Sequence, residues 1–430
     1  MTAANPLESL QSGALAPQYR ALGLDRLSDG ELFAQVAAIV ARPKQTADSF
    51  VLHAPLEILA RYRLLALVAP DQRELARLRL VSVARRYATT GQPAPTDATL
   101  ANCADVEALL AAIEAGESDR AQALGAALAE ALPPDGLTSA LATPVLQRLG
   151  AAAHGHLFFY LIDRVDAAAQ RAAAPLLANF ARELATDHLE KLSWTQPGET
   201  AGPDRSLDTA SLENALLNSP LKPFAGFLCP IMQAAERAGI PAAVVGGPLA
   251  GPIGPEAAEA AFAAICRAAA LAMIEERPRE AKYGWTHAFT LPFGVWEIAG
   301  AIPDQAFALR VAATYFLGLR AAVGRKRRLI GEPDLEPRPP ALPQALAKSP
   351  KTAAASAWTT APERQDEIFA LLATEASIRT DAHLVKYVLA CRDAAQRDAS
   401  PVYRAAAAYL TALWMSEETL RDVKRELGVA

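Results

Sequence analysis

Apolar residues recur three and four positions apart along most of this chain, the spacing of one helix face. Ser28 with Glu31 forms a capping box ahead of LFAQVAAIVA, and Pro43 ends that helix. Pro55, placed where a missing N–H costs nothing, predicts a helix start that runs to Pro70 and leaves His53 at the entrance. Asp71 to Tyr87 is amphipathic, and Arg73, Arg77, Arg79, Arg85 and Arg86 read as a solvated face. Ala-rich helices extend from Asp105 to Leu192, with connectors at Ala115-Gly-Glu-Ser, Pro133-Pro-Asp-Gly and Thr143-Pro144. Further helices are predicted at Glu256 to Glu276, in an apolar run that Pro292 interrupts, and at Asp304 to Val323. Three more close the chain, at roughly Ala361 to Ser377, Asp381 to Arg397 and Pro401 to Glu426.

The pattern predicts an all-α protein, an irregular multi-helix bundle. It divides into a main helical domain over 1–323, a Pro-rich linker over 324–354, and C-terminal helices over 355–430 that pack on the main domain; the candidate chemistry below adds a buried metal site that these last helices would complete. No repeat of solenoid length is present.

Composition narrows the picture. Aromatics are only 6% of a chain that is 52% hydrophobic, so the core is built from Ala, Leu and Val. A net charge of −5 argues against a dedicated nucleic-acid binder, and the cluster Arg325-Lys-Arg-Arg reads as a solvated helix end. Cys103, Cys229, Cys266 and Cys391 form no CxxC pair, which suggests neither a disulfide framework nor a thiolate zinc site and suits a reducing cytoplasm. The N-terminal MTAANPLESL lacks a basic segment before an apolar run, and Glu259 and Arg267 interrupt the most apolar stretch, so neither a signal peptide nor a membrane span is expected. The run GGPLAGPIGP from Gly246 lacks the GKS/GKT ending of a phosphate loop and reads as a connection. No GxSxG elbow and no GxGxxG after a strand support a hydrolase triad or a Rossmann flavoprotein.

The candidate chemistry lies in the histidines. There are six, His53, His154, His156, His188, His287 and His383, mostly in apolar or turn-adjacent settings. One such residue is usually a core histidine with a single hydrogen bond, whereas several together raise the case for a metal. The sharpest constellation is His383-Leu-Val-Lys386, since positions i and i+3 share a helix face. An ammonium cannot ligate, but the neutral amine reacts with carbon dioxide to give a carbamate whose oxygen can; the bland alternative has Lys386 snorkelling to solvent. His188, between Asp187 and Glu190, reads as a helix-surface residue, with an acid–base role as the alternative.

Four segments, taken in order, resemble the questin oxidase-like family: His53-Ala-Pro, Gly150-Ala-Ala-Ala-His154, His287-Ala-Phe-Thr-Leu-Pro292 and His383-Leu-Val-Lys386. The similarity spans residues 50 to 396, thin between motifs, with the last two the most specific. It implies a mostly helical oxygenase acting on anthraquinone-like aromatic polyketides by Baeyer–Villiger-type oxidation or oxidative ring cleavage. It also implies a non-haem Fe(II) site of His53, His154, His287, His383 and a carboxylated Lys386. NADPH is the external reductant to consider, and the partners are a small aromatic substrate and dioxygen. Two departures stand out: Gly155-His156 follows His154 where a proline is expected, leaving open which histidine ligates, and Tyr283-Gly-Trp-Thr replaces a histidine-containing form. His156 and Tyr283 are the catalytic candidates. Phe159, Trp285, Phe289 and Trp296 are the candidate substrate wall, although aromatics at such spacings are more often core. Two other classes compete: a non-catalytic helical ligand-binding or scaffold protein, and a metal-dependent hydrolase or isomerase using the same ligands.

Overall fold

The computed structural model describes residues 5–45, 48–95, 104–148, 151–186, 207–249, 253–276, 280–326, 328–329 and 332–429. Among these the chain is all-α: no strand forms, and the isolated bridge pairs Lys44 with Pro93. The Ser28–Glu31 capping box opens the helix Asp29–Val40. Three long helices, Pro255–Glu275, Lys282–Ile298 and Gln305–Val323, pack on one another, and Val402–Met415 lies against the first. Pro255–Glu275 and Gln305–Val323 are long and apolar enough to cross a membrane, but 78% and 83% of their most apolar windows are buried inside the fold.

Several predicted boundaries shift. Asp48, not Pro55, starts the second predicted helix: its carboxylate accepts from the Phe50 N–H, the helix runs Ser49–Leu65, and His53 sits inside it. Pro55, Pro144 and Pro292 all lie within helices, each leaving one carbonyl without its usual donor. The stretch read as a linker is partly helical. Leu342–Lys348 and Pro350–Thr359 are helices with a proline in the first turn, where no N–H is needed, and Ala353, Ala354, Ala355 and Ala357 are fully buried. The last predicted helix is two, Val402–Met415 and Leu420–Leu427, the second with its own capping box at Thr419 and Asp422. The arginine face is not wholly solvated: Arg79 is buried, donating to both oxygens of Glu426 and to the Ile378 carbonyl, and Arg77 donates to Asp29, Tyr19 and the carbonyls of Leu24 and Leu27. Cys229, Cys266 and Cys391 are buried, and none of the three is in a disulfide. Cys103 and His188 lie outside the described residues.

One half-buried carboxyl works against the fold. Asp163 ends the helix Gly155–Asp163, where the helix dipole disfavours an anion; one oxygen accepts from Thr138 and the other has no partner. Burial pushes its carboxyl up to about 6. The native state therefore holds a proton that the unfolded chain has lost between about pH 4 and 6, so this group favours folding at low pH and the advantage disappears as pH rises through that window. Asp163→Asn keeps the acceptor for Thr138 and removes the charge. It is expected to stabilise the protein by about 1–2 kcal/mol at pH 8, after allowance for partial solvation, with little difference near pH 4. Urea melts at the two pH values check this, and an equal gain at both would contradict it.

Candidate metal centre

Four packed elements form a closed ring. The helix Ser49–Leu65 packs on Ala382–Arg397, which packs on Lys282–Ile298, which packs on Gly155–Asp163, which returns to Ser49–Leu65. Each contributes one histidine to the middle: His53, His383, His287, and His154 at the N-cap of Gly155–Asp163. Neighbouring ring centroids are 4.7 to 5.0 Å apart around the cluster, for His53–His383, His53–His154, His154–His287 and His287–His383. Ring nitrogens of His53, His287 and His383 lie within 4.8 Å of one another, and Nε2 of His154 is 3.1 Å from Nε2 of His287.

The outer nitrogen of each ring has an acceptor. Nδ1 of His53 donates to the Ser49 carbonyl at 2.6 Å, that of His154 to the Ala152 carbonyl at 2.6 Å, and that of His287 to the Tyr283 carbonyl at 2.5 Å. Nδ1 of His383 faces Oδ1 of Asp381 at 3.2 Å, and the same oxygen accepts the His383 backbone N–H. A proton committed to Nδ1 leaves Nε2 of a neutral ring as a bare lone pair. Two such lone pairs 3.1 Å apart, in His154 and His287, repel unless a cation lies between them. Ligands about 2.1 Å from one ion and at right angles to each other are separated by about 3 Å, which matches. Nε2 of His53 is buried with no partner at all. The donor set thus fits a divalent transition metal, with the acceptors on the far nitrogens fixing tautomer and ring orientation.

Electrostatics favour neutral rings. Burial first, and then neighbouring charges including that of Lys386, holds His53, His154 and His287 well below the ordinary imidazole range, and His383 below it. Lys386 does not snorkel. It is 4% exposed, forms no hydrogen bond or ion pair among the described residues, and burial brings its amine down to about 7. Burial opposes ionisation of Asp381, but the hydrogen bonds and charge of His383, with Lys386, outweigh it and bring that carboxyl down to about 2.

The turn that delivers His154 is strained. Ala151, Ala152 and Ala153 have φ of 53, 47 and 59°, a left-handed turn built without glycine that costs about 1–2 kcal/mol per residue. It aims the Ala152 carbonyl at His154, and strain of this kind gathers at functional sites. Gly155 follows because a Cβ there would lie 2.7 Å from a Val145 methyl.

Of the two neighbours, His154 is in the cluster and His156 is not. His156 donates from Nε2 to the Leu291 carbonyl at 3.0 Å, stacks on Tyr315, and packs where Gly294 leaves room. Burial lowers it to about 4, and it packs in the core away from the four-histidine cluster. Tyr283 does adjoin the site. Its ring centroid is 4.8 Å from that of His383, and its hydroxyl donates to Oδ2 of Asp381 at 3.2 Å.

The expected substrate wall is core. Phe159 lines a small apolar cavity with Leu141 and Phe180, Trp285 is fully buried without a ring contact to the histidines, and Phe289 packs on Phe293, Tyr387 and Tyr403. Trp296 stacks on Phe262 and donates to Glu259. Helical phase explains this, since residues 285 and 289 are each two positions from His287 and so point about 200° away from it. The cavity at the cluster, about 490 Å³, is instead lined by Phe50, Glu57, Arg86, Trp414, Glu417 and Glu418 together with His53 and His383. A larger cleft of about 1060 Å³, beside Leu371, Arg379, Tyr409 and Leu413, contains none of the histidines.

Sequence reading missed Asp381, Arg61 and Phe227. Asp381 carried a signal, because an aspartate before a helix predicts a cap whose carboxylate can also reach a ring two residues on. Arg61, fully buried, donates to Glu57 and to the carbonyls of Ser377, Arg379 and Thr380, tying the His53 helix to the segment that leads into His383. Phe227 places its ring 5.4 Å from that of His287. No protein-family model matches the chain, and no curated protein or solved structure matches it either.

Proposed function

We propose that this chain is a non-haem iron(II)-dependent oxygenase of the questin oxidase-like kind, oxidising or opening a ring of a planar aromatic polyketide. The observation that carries this reading is the convergence of four imidazoles, each with its outer nitrogen occupied, beside a buried lysine whose charge acts on all four rings. His53, His154, His287 and His383 would hold the ion through nitrogen, and Lys386 through oxygen after carboxylation. Its Nζ bonds to the carbon of carbon dioxide and releases a proton, giving an anionic carbamate in place of a buried cation. Iron bound there supplies the redox capacity and Lewis acidity that reaction of dioxygen with an electron-rich ring requires.

The protein's own part is positioning. The carbonyls of Ser49, Ala152 and Tyr283 keep three rings in one tautomer, and Asp381 does so for His383 while Tyr283 holds Asp381. A site with five protein ligands leaves room for one exchangeable group, and the cavity beside His53 and His383 gives access to it.

The test is elemental analysis of protein purified without added metal, followed by oxygen uptake with a hydroxyanthraquinone, with and without NADPH. About one iron per chain and substrate-dependent oxygen consumption are expected. A metal-free chain that stays so on anaerobic Fe(II) addition would falsify the proposal in favour of a ligand-binding scaffold. Metal-dependent turnover without oxygen uptake would move it to the hydrolases.

A further inference from the structure

Among the described residues three large apolar side chains are markedly exposed, and two of them, Phe227 at 44% and Tyr283 at 42%, stand on the histidine cluster. Phe227 meets His287 edge-on at 5.4 Å, and Tyr283 lies 4.8 Å from His383, whose ring is itself 5.0 Å from His287. Exposed aromatic surface is unfavourable in water, so two such rings set against neighbouring histidines of one cluster suit an occupant.

Neither ring is there by default. Phe227 is followed by Leu228 at φ 50° and ψ −103°, a conformation that a side chain with a Cβ resists, and preceded by Gly226 at φ +89°. A Cβ on Gly226 would come within 2.8 Å of Pro230, so the chain is cramped on that side too. The twist buries Leu228 at 5% exposure and turns the larger, equally apolar Phe227 outward. Tyr283 is fixed by its hydroxyl on Asp381, by the edge of Trp414 at 6.1 Å, and by Lys282 over the ring at 5.5 Å.

We infer that Phe227 and Tyr283 form an aromatic clamp that holds the flat ring of the substrate beside His287 and His383, and so set specificity for planar aromatic molecules. The inference rests on the substrate class of the proposed function. Two preset rings that lose no further rotamer freedom can contact a planar ligand by face or edge, which suits unsaturated rings and not saturated ones of the same width.

The experiment titrates anaerobic Fe(II)-loaded protein with 1,8-dihydroxyanthraquinone, following the visible absorption of the probe, with iron content measured in parallel. Wild type is expected to bind saturably. Phe227→Ala is expected to raise Kd about tenfold with iron content unchanged, and Phe227→Trp to restore binding. Equal Kd in Phe227→Ala, no rescue by Phe227→Trp, or no saturable binding by iron-loaded wild type would each overturn the clamp. A chain that takes up no iron yet binds the probe in a Phe227-dependent way would keep the clamp and remove the metal-based reading.

Discussion

Lys386→Met is expected to yield a folded protein whose iron affinity has fallen by more than about 100-fold, because the loss of a ligand should exceed the 10–100-fold cost typical of losing a group that only orients one. Methionine preserves the stem and its burial, so the core around Leu384, Val385 and Tyr387 keeps its packing. The effect would come from the head group alone. Without it, the proposed iron would lose the one anionic donor in an otherwise neutral set, while the four rings would remain with their lone pairs turned inward. Two controls separate ligation from structure. Wild type prepared under carbon dioxide depletion should lose iron and regain it on adding bicarbonate, and Lys386→Ala should recover part of its iron with a short carboxylate such as acetate occupying the vacated space. Circular dichroism and iron content read the outcome. Full iron retention in Lys386→Met would remove the lysine from the centre while leaving the histidines to be judged on their own variants.

Arg61→Met should be the most destabilising single change near the centre. Its guanidinium is 1% exposed, and it holds Glu57, itself 4% exposed, together with the backbone oxygens of Ser377, Arg379 and Thr380. Removing it strands a carboxylate and several carbonyls in the interior, for which a loss of about 3–5 kcal/mol is expected. The oxygens it holds lie just ahead of Asp381, so iron affinity should also fall, by about tenfold, in the fraction that remains folded. Lysine offers one compact donor head and should rescue only in part. Adding Glu57→Gln to Arg61→Met removes the stranded charge and should recover part of the stability. Urea melts of the four proteins decide this, and a single variant within about 1 kcal/mol of wild type would show that Arg61 is not the tie between the two helices.

Helical periodicity made most of this architecture legible. The helix predicted from Glu256 to Glu276 is Pro255–Glu275, and the capping box at Ser28 lies where the sequence put it. Prolines misled where they sit inside helices. A proline reads the same in the first turn as in the interior, and only packing decides whether the helix passes through, as it does at Pro55 and Pro292. The same residue type caused the opposite error after residue 324, where Pro343 and Pro350 start helices instead of preventing them. For the site, residue scarcity helped: with so few histidines, those in apolar settings could be picked out singly, and the structure brings His53, His154, His287 and His383 together. The aromatic wall was not legible, because identity without helical phase does not separate Trp285 and Phe289 in the core from Phe227 at the surface. Arg79 shows a matching limit, since its partners Glu426 and Ile378 are more than 290 residues away in sequence.

The ring histidines are drawn from distant parts of the chain, His154 and His287 alone being 133 residues apart. An ion bridging them acts as a reversible cross-link, closing loops of a length for which a covalent bridge removes about 4–5 kcal/mol of unfolded-state entropy. Metal supply would then tune lifetime as well as activity. On the proposed reading, a chain deprived of iron would keep its helices but lose the clasp between the helices that carry His53 and His383, which would open it to proteases.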